Sequence, residues 1–441
     1  MTCTCPALGI TIVSMNGNKN YLPRTIDAAI EECLGWRGAV CIEGPKWCGK
    51  TWACRQQAAS EFLVGAPDDN YLNRRLCESN PLLALSGEVP HLIDEWQEVP
   101  GIWDAVRMEV DRRGGFGHFL LTGSSTPRPR ATSHSGTGRI TKLRMRTMSL
   151  YESGESDGTV SLRSLFDGGF EDHLVKSLDV MTLSYLIIRG GWPGLIGCSE
   201  RIAMRNAADY IQNFLDEDLS KVDDRSSREK DRIRILLKSL ARNEATTASV
   251  SKIASDICHA TDVNIKHDTV NEYLDLLGRC FLIEDQPPFT FSARSSLRLK
   301  KAPKRHLTDP SLAAALLDLS PAKLVKDPQT MGFLFEALVE RDLDIYAKAI
   351  GGKLYHYQDY NNKEADAVVQ LSDGRWGAFE IKLGSNSIDD AAQGLVRLKA
   401  KIEADSPDNA PSFLAVIAGT VGAAYKRPDG VHVFPLTSLK P

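Results

Sequence analysis

The chain has 441 residues, of which 42% are hydrophobic and 25% are charged, and its formal net charge is −4. This length favours about three domains rather than a single core. The composition is that of a globular protein and excludes the collagen-like and low-complexity classes. The acidic balance excludes a uniformly basic coat for nucleic acid, so any surface that binds nucleic acid would have to be a local patch.

No segment of the sequence predicts a membrane span or a secretory signal. No run approaches the ~18 uncharged apolar residues that a span needs, and residues 1–16 have no basic region of the kind that begins a signal peptide. The ten cysteines do not form paired C-x-x-C motifs near histidines, so they do not predict a structural zinc site. We therefore expect a cytoplasmic protein with reduced thiols and without a membrane partner.

Strands alternate with helices in the first third of the chain, which is typical of an α/β fold with a parallel sheet. After a weakly ordered start, a helical pattern covers Ile26–Leu34, and β-type runs end at Glu43, Glu95 and Thr122. The pattern is mainly helical from about 150 to 230, and three helical segments with a short β-type run follow up to about 310. A last α/β region begins near residue 325.

The first β-type run is followed by a motif of the form G-x-x-x-x-G-K-[ST] that opens a helix. Its residues are Gly44, Pro45, Lys46, Trp47, Cys48, Gly49, Lys50 and Thr51. The glycines let the backbone wrap a phosphate, so that N–H groups and the helix N-terminus face the negative charge. Lys50 can then reach the β- and γ-phosphates, and Thr51 can offer its hydroxyl to Mg²⁺. The motif predicts a nucleotide site, with ATP and Mg²⁺ as the expected ligands.

Two adjacent acids, Asp94 and Glu95, end an apolar run that follows this phosphate loop. In this position Asp94 would hold Mg²⁺ through water, and Glu95 would polarise the attacking water. An Asp-Glu pair alone is usually a solvated strand end. After a phosphate loop, however, it favours a hydrolase over a passive nucleotide binder.

Polar residues also end the third β-type run. Thr122 and Ser124 would lie between the two earlier strand ends and could sense the γ-phosphate, although Ser and Thr at a strand end also serve turns. Hydrolysis further requires a cation that neutralises charge in the transition state. The candidate arginines are Arg112, Arg113 and Arg139, and spacing does not choose among them.

In this order the motifs resemble those of the AAA-type P-loop ATPases of bacteria and archaea that carry a C-terminal PD-(D/E)XK nuclease-like domain of unknown function. The resemblance covers nearly the whole chain from Tyr21. Its matching segments are Gly44–Thr51, Ile93–Gln97, Leu121–Ser125, Gly138-Arg139, Gly190–Pro193, Lys304–Asp309, Gly332–Glu336 and Glu380–Lys382.

This resemblance implies an α/β fold class with an ASCE-type P-loop ATPase domain, a helical and winged-helix-like middle, and a C-terminal restriction-endonuclease-like α/β domain. The domain boundaries follow the changes of pattern along the chain. We expect an N-terminal tail (1–22), the ATPase domain (23–150), a helical lid or linker (151–229), a winged-helix-like domain (230–310) and the nuclease-like domain (325–441).

The C-terminal β-type runs carry two acids and a lysine in a suggestive arrangement. Alternation places Glu380 and Lys382 on one face of a strand, and Asp366 precedes Glu380 by 14 positions, so a hairpin can bring the two carboxylates together. Asp366 and Glu380 would then form an oxygen site for Mg²⁺, and Lys382 would orient or deprotonate the attacking water. Glu336 could add an outer carboxylate. The spacing leaves open an alternative, a surface ladder of ion pairs.

Six cations stand close together after the third helical segment of the middle region. They are Arg294, Arg298, Lys300, Lys301, Lys304 and Arg305. In a winged helix they would fall on or just after the wing, beside the backbone of a duplex, so they are the candidates for contact with DNA phosphates. The alternative is a solvated basic loop that helps to pack the next domain.

Together these patterns predict a Mg²⁺-dependent ATPase whose nucleotide state controls nucleic-acid binding or cleavage by the tail. The alternative is a nucleotide-dependent DNA-binding or signalling switch whose nuclease-like tail is catalytically inactive. A third hypothesis, a protein-remodelling ATPase, requires a closed ring of subunits. The expected partners are a nucleotide, DNA and further copies of the chain.

Overall fold

The computed structural model describes residues 2–5, 10–14, 21–127, 135–219, 227–261, 265–290, 302–358, 364–405 and 407–441. It forms two compact units, one of residues 1–147 with 279–281 and one of residues 148–278 with 282–441. The predicted lid (151–229) and nuclease-like segment (325–441) fall within the second unit, as does the predicted winged-helix-like segment (230–310) apart from residues 279–281. None of the described helices is both long and apolar enough to cross a membrane.

The first unit is built on a seven-stranded sheet. Its strands are β1 (Thr2–Cys5), β2 (Ile10–Ser14), β3 (Ala39–Glu43), β4 (Ser60–Leu63), β5 (His91–Asp94), β6 (Phe119–Gly123) and β7 (Ile140–Arg144). Its helices are α1 (Ile26–Leu34), α2 (Lys50–Arg55), α3 (Asp68–Ser79) and α4 (Gly101–Arg113). The strand order is β1-β2-β4-β5-β6-β3-β7, and the strands from β4 to β7 in that order are parallel.

The central strands of this sheet are buried on both faces. Cys41 and Leu121 pack into one apolar layer, and Val40, Ile42 and Leu120 pack into the other. Strands that are covered on both faces read as continuous apolar runs, which is why the sequence predicted them. Because β6 lies between β3 and β5, the carboxyl ends of these three strands are neighbours, as the sequence predicted.

Two segments of the predicted N-terminal tail are strands instead. β1 and β2 pair with each other in antiparallel fashion, and β2 continues the sheet by pairing with β4. The run from Ile10 to Val13 consists of β-branched residues, which favour an extended strand. The difference from the predicted tail therefore has a local cause.

The second unit contains the remaining elements. Its strands are β8 (Val160–Ser161), β9 (His173–Leu174), β10 (Ile283–Gln286), β11 (Lys304–Leu307), β12 (Gly352–Gln358), β13 (Glu364–Leu371), β14 (Trp376–Lys382), β15 (Phe413–Ala418), β16 (Ala423–Lys426), β17 (His432–Pro435) and β18 (Leu439–Lys440). The helices of this part of the chain are α5 (Leu162–Asp167), α6 (Val180–Arg189), α7 (Glu200–Asn213), α8 (Ser227–Arg242), α9 (Val250–Thr261), α10 (His267–Arg279), α11 (Pro310–Leu316), α12 (Pro321–Leu324), α13 (Pro328–Ala349) and α14 (Ile388–Asp405).

A mixed sheet forms the C-terminal part of this unit, with the strand order β12-β13-β14-β15-β17-β16-β9. The three strands β14, β15 and β17 are parallel to one another, and the outer pairs are antiparallel. Leu395 and Leu398 of α14 pack against Val416 and Val433 of the sheet. β9 belongs to the predicted helical lid, but it pairs with β16. A strand of two residues has no periodicity that a sequence could reveal.

Three helices, α8 to α10, precede an antiparallel pair of strands formed by β10 and β11. The buried residues Val270, Tyr273 and Leu277 lie on one face of α10, so the predicted amphipathic helix is confirmed. In the strand pair, Gln286 stands opposite Lys304.

A buried ion network ties together two of the segments that carried the family resemblance. Arg341 of α13 donates to Oδ2 of Asp309 (3.0 Å) and to Oδ1 of Asp342 (2.9 Å), and the backbone N–H of Gly191 donates to the same Asp309 oxygen (3.0 Å). Arg341 is 3% exposed. The Gly190–Pro193 and Lys304–Asp309 segments therefore contribute to the packing of the second unit.

Candidate functional site

The phosphate loop, residues 44–51, follows β3 directly and ends in the first two residues of α2. Gly49 has a φ of 103°, in the left-handed region that glycine adopts without strain. A Cβ atom on Gly44 would lie 2.2 Å from the backbone oxygen of Met145, so no larger residue fits there. Both glycines of the motif are thus required by the shape of the loop.

Lys50 is directed into this loop. Its ammonium donates to the carbonyl oxygens of Gly44 (3.0 Å) and Pro45 (2.9 Å), and the residue is buried. Both acceptors are uncharged, whereas phosphate oxygens are anionic and form stronger hydrogen bonds with an ammonium group. The lysine is therefore held where a phosphate can replace its partners.

Asp94 joins the loop to the neighbouring strand end. Its Oδ1 accepts hydrogen bonds from the hydroxyl groups of Thr51 (2.7 Å) and Thr122 (2.7 Å). Carboxylate and hydroxyl oxygens are the donors that Mg²⁺ prefers. The side chains that we predicted as magnesium ligands, Thr51 and Asp94, are in contact and fit this ion.

Glu95 adopts a left-handed backbone conformation, with a φ of 58°. Its N–H donates to Oγ1 of Thr122 (3.0 Å), and its Oε2 accepts hydrogen bonds from Oγ of Ser124 (2.8 Å) and from Nε2 of Gln97. Gln97 Nε2 also lies 3.2 Å from Oγ of Ser124. Ser124 and Gln97 therefore orient the Glu95 carboxylate, and sequence reasoning gave Gln97 no role. The sequence signal for Gln97 was its position in the segment Ile93–Gln97, which is one of the segments that carry the family resemblance.

The remaining residues of the loop differ in exposure. Trp47 is 59% exposed with a φ of 64°, whereas Cys48 is fully buried. Lys46 lies in the same turn.

Each candidate arginine bonds a carboxylate within the first unit. Arg112 Nε (2.7 Å) and Arg113 Nε (2.6 Å) donate to Glu109, and Arg139 Nε donates to Asp111 (2.8 Å). These contacts do not choose one arginine as the catalytic cation.

A second group of charged side chains lies in the C-terminal sheet. Asp366 of β13 and Glu380 of β14 are on antiparallel strands, as the predicted hairpin requires. Nζ of Lys382 lies 2.6 Å from Oε2 of Glu380 and 3.2 Å from Oδ2 of Asp366. The N–H of Ile381 donates to the same Asp366 oxygen (2.7 Å). The structure thus brings the three predicted residues together.

Glu336 belongs to the same group through a further lysine. Nζ of Lys304 lies 2.6 Å from Oε1 of Glu336, 2.8 Å from Oε1 of Glu340 and 3.0 Å from the backbone oxygen of Asp366. We call these six residues the carboxylate cluster: Glu336, Glu340, Asp366, Glu380, Lys304 and Lys382. The positions of Lys304 and Glu340 in the cluster were not predicted.

Burial governs protonation in the carboxylate cluster. Burial and the neighbouring Asp366 raise the pKa of Glu380 to about 8, and burial raises the pKa of Glu336 to about 7. Burial alone would lower the pKa of Lys382, but the carboxylates of Asp366 and Glu380 outweigh it and raise that pKa. The lysines therefore stay charged and compensate the acids.

Asp366 and Glu380 offer oxygen donors of the type that Mg²⁺ prefers, but both are paired with Lys382. Within the described residues, no group of three or more His, Cys, Asp or Glu side chains is placed to hold a metal ion. A divalent cation at this site would therefore compete with a lysine that is already bound.

The predicted basic strip is described only in part. Arg294, Arg298, Lys300 and Lys301 lie outside the described residues. Lys304, which we predicted to contact DNA phosphates, is 7% exposed, and its ammonium group donates to the carboxylate cluster. Arg305 donates to the carbonyl oxygen of Ala248 (2.8 Å), and its side chain is mostly buried. The charges of Lys304 and Arg305 looked exposed because their partners are distant in sequence.

Three family models match the chain. Residues 37–154 match an AAA domain, residues 181–323 match a domain of unknown function (DUF8612), and residues 331–439 match a domain of unknown function (DUF4143). The chain is also similar to two uncharacterised proteins, Rv2008c of Mycobacterium tuberculosis and Mb2031c of Mycobacterium bovis. Each is 25% identical over 367 residues, which cover 81% of this chain and 73% of the relative.

Among solved structures, the chain is similar to the Walker-type ATPase paby2304 of Pyrococcus abyssi, with a TM-score of 0.44 and 12% identity over 69% of this chain and 98% of that chain. It is also similar to the signal transduction ATPase PH0952 of Pyrococcus horikoshii, with a TM-score of 0.23 and 14% identity over 90% and 53% of the respective chains. The match of residues 37–154, together with the phosphate loop and the two acids at the end of β5, shows that the chain contains an AAA-type P-loop ATPase domain.

Proposed function

We propose that this protein couples Mg²⁺-dependent ATP hydrolysis in its AAA-type domain to the cleavage of nucleic acid by its C-terminal part. One observation carries the second half of this proposal. Asp366, Glu380 and Lys382 meet on the antiparallel strands β13 and β14, and Glu336 lies in the same cluster. Two carboxylates and a lysine in this arrangement can hold a divalent cation and direct a water molecule at a phosphodiester.

In the AAA-type domain each residue has a separate task. Lys50 binds the β- and γ-phosphates, while Thr51 and Asp94 would hold Mg²⁺, which neutralises phosphate charge when bound. Glu95 accepts a proton from the attacking water, and its orientation is set by Ser124 and Gln97. Thr122 supports Asp94 and the backbone of Glu95.

Measurement of ATP turnover tests the proposed ATP hydrolysis directly. We expect Lys50→Ala to reduce turnover about 100-fold or more, because removal of one preorganised donor to a developing charge has an effect of this size. Lys142→Ala is a matched control, since Lys142 pairs with Glu43 outside the phosphate loop. Undiminished turnover in Lys50→Ala would refute the assigned site.

The elements between residues 230 and 310 are the basis for proposing that the protein binds DNA. Three helices followed by an antiparallel strand pair are the elements of a winged helix, and we propose that α10 faces the duplex. The candidates for phosphate contact are Arg294, Arg298, Lys300 and Lys301. Lowered affinity for duplex DNA and a shallower salt dependence are expected when these four are replaced together by glutamine.

Cleavage of single- and double-stranded DNA and RNA, assayed with Mg²⁺ and with Mn²⁺, tests the tail. We expect cleavage that is lost in Asp366→Ala and in Lys382→Ala but kept in Lys353→Ala, which replaces an exposed lysine of the same sheet. Activity that survives the first two changes would remove the cluster from the reaction.

The second candidate function is a nucleotide-dependent switch that binds DNA but does not cut it. The pairing of Lys382 with both acids favours it, because a site whose charges are already compensated binds a cation less readily. An affinity for duplex DNA that differs between the ATP-bound and ADP-bound protein, without cleavage in the presence of Mg²⁺ or Mn²⁺, identifies this function.

We also propose that the protein is a cytoplasmic homo-oligomer. Measurement of its mass with and without nucleotide tests this assembly.

A further inference from the structure

Lys304 enters the carboxylate cluster from an element other than the strands that carry Asp366, Glu380 and Lys382. It is the first residue of β11, where it pairs with Gln286. The side-chain amide of Gln286 donates to the carbonyl oxygen of Tyr355 (2.9 Å) in β12. The strand pair is thus fastened to the C-terminal sheet at the point where Lys304 begins.

The ammonium group of Lys304 is saturated by its three acceptors. Glu336 (2.6 Å), Glu340 (2.8 Å) and the backbone oxygen of Asp366 (3.0 Å) account for the three N–H donors of a lysine. Because one acceptor belongs to the backbone of Asp366, the positive charge is fixed beside the strand position that the proposed nuclease site uses.

The two acids that Lys304 binds stand one turn apart on α13. Glu340 is 2% exposed, and its Oε2 accepts no hydrogen bond but lies 3.5 Å from Nε2 of His306. Two buried carboxylates this close repel one another unless a cation lies between them. In this structure the cation is an amino-acid side chain.

We infer that Lys304 is a tethered counter-ion that competes with a divalent cation for Glu336 and Glu340, and that it thereby sets the cation affinity of the carboxylate cluster. The inference rests on the proposed metal-dependent function of Asp366 and Glu380. A divalent cation near Asp366 meets the fixed positive charge of Lys304, which opposes its binding. Lys304 is therefore a positioning residue: its ammonium group occupies Glu336 and Glu340 and lowers their affinity for a divalent cation.

Binding of Mn²⁺ to the nucleotide-free full chain tests this role by isothermal titration calorimetry. All proteins carry Asp94→Asn, so that the phosphate loop contributes no Mn²⁺ signal. We expect Lys304→Met to tighten Mn²⁺ binding about tenfold, because the competing charge is gone while both acids remain. Lys304→Arg keeps the charge and should leave the affinity within about twofold of the parent.

A second variant guards against misfolding of Lys304→Met. The double change Lys304→Met with Glu340→Gln removes one cation and one buried carboxylate together, and near-ultraviolet circular dichroism confirms its fold. Its Mn²⁺ affinity should also exceed that of the parent, and the gain should vanish when Glu336→Gln is added. An unchanged or weaker Mn²⁺ affinity in both Lys304→Met and the Lys304→Met, Glu340→Gln double variant, when they are folded, overturns the inference.

Mn²⁺ binding by Asp366→Ala distinguishes the counter-ion role of Lys304 from the proposed nuclease function. If Asp366→Ala leaves the Mn²⁺ affinity of the parent unchanged, the proposed metal site fails. A Glu336-dependent gain in Lys304→Met would still support the tethered counter-ion in that case. If Asp366→Ala abolishes binding but Lys304→Met has no effect, the metal site stands and the counter-ion role is refuted.

Discussion

The phosphate loop and the carboxylate cluster both hold lysines near acids, but the partners of the lysines differ. Lys50 donates to two backbone carbonyl oxygens, whereas Lys304 and Lys382 are paired with carboxylates. Neutral partners are given up readily when an anion arrives, while ion pairs in a buried site resist exchange. The first arrangement is ready for a phosphate ligand, and the second is balanced before any ligand binds.

The largest expected effect separates chemistry from binding in the phosphate site. Glu95→Gln should reduce ATP turnover about 1,000-fold, because an amide cannot take a proton from the attacking water. The affinity for ATP should stay within about threefold, since the partners of Lys50 and Asp94 are unchanged. Steady-state phosphate release and equilibrium binding of ATP measure the two quantities.

Glu98→Gln is the matched control for this change. Glu98 follows Glu95 in the same short helical turn and pairs with Arg74 (3.0 Å), outside the contacts of Asp94 and Thr122. Its turnover should equal that of the parent. A loss of less than tenfold in Glu95→Gln would show that another group activates the water.

The next prediction compares how much Lys304, which is paired with carboxylates, and Lys50, which is bonded to carbonyl groups, contribute to the free energy of unfolding. Lys304→Met should lower the local free energy of unfolding by about 3 kcal/mol, because it leaves buried carboxylates without their cation. Lys50→Met should cost less, about 1.5 kcal/mol, since it removes hydrogen bonds to neutral carbonyl groups and leaves no carboxylate without its cation. Hydrogen exchange in peptides from α13 and β13, and from β3 and α2, reports the two changes separately. Equal losses at both positions would remove the distinction between the sites.

A buried titratable group in each unit predicts opposite responses to pH. In the second unit, burial raises the pKa of Glu244 to about 8. Its Oε2 accepts the N–H of Leu307 (3.1 Å), and its Oε1 lies 3.2 Å from Nδ1 of His306, whose Nε2 is 2.9 Å from Oε1 of Gln286. A proton on Glu244 can thus be donated to His306. In the first unit, burial lowers the pKa of His91 to about 4.

The signs follow from the difference between the folded and unfolded chains. The stabilising contribution of Glu244 is complete below its unfolded pKa of about 4.5 and is lost as the pH rises to about 8, whereas that of His91 is complete above about 6.5 and is lost as the pH falls to about 4. Between pH 7.5 and 5 the protonation of Glu244 should add about 3 kcal/mol to the stability of the second unit, and the protonation of His91 should subtract about 2 kcal/mol from that of the first.

Hydrogen exchange at pH 7.5 and pH 5, corrected for the intrinsic exchange rates, measures how the stability of each unit depends on pH. Glu244→Gln should reduce the pH dependence of the stability of the second unit, and His91→Gln should reduce that of the first. A pH dependence that is unchanged by either substitution would contradict the contribution assigned to that group.

The sequence predicted those parts of each site that are local. The phosphate loop is contiguous, the strand ends of β3, β5 and β6 are neighbours by parallel order, and the alternation of Glu380 and Lys382 needs one strand. Lys304 was assigned to a DNA-binding surface, because its contacts to Glu336 and Asp366 cross 32 and 62 positions of sequence. The periodicity of a sequence does not reveal contacts between residues this far apart. The pairing of lysines with acids in the cluster could therefore be seen only in the folded structure.

Gln97 offers the smallest effect and the finest test of the phosphate site. Gln97→Leu removes the hydrogen bonds from its amide to Glu95 and to Ser124. We expect kcat for ATP hydrolysis to fall about tenfold, since a hydrogen bond to a charged group is worth about 1.5 kcal/mol or more. KM should change less than about twofold, because Lys50, Thr51 and Asp94 keep their contacts.

Gln56→Leu serves as the control, since the amide of Gln56 donates to the carbonyl oxygen of Trp52 (3.1 Å) at the surface of α2. A fall in kcat restricted to Gln97→Leu would mean that a neutral side chain orients the catalytic carboxylate of Glu95, as neutral carbonyl groups hold Lys50. If KM rises instead, Gln97 acts on the bound nucleotide, and the phosphate site depends on more than the orientation of Glu95. An unchanged kcat would leave Ser124 alone to orient that carboxylate.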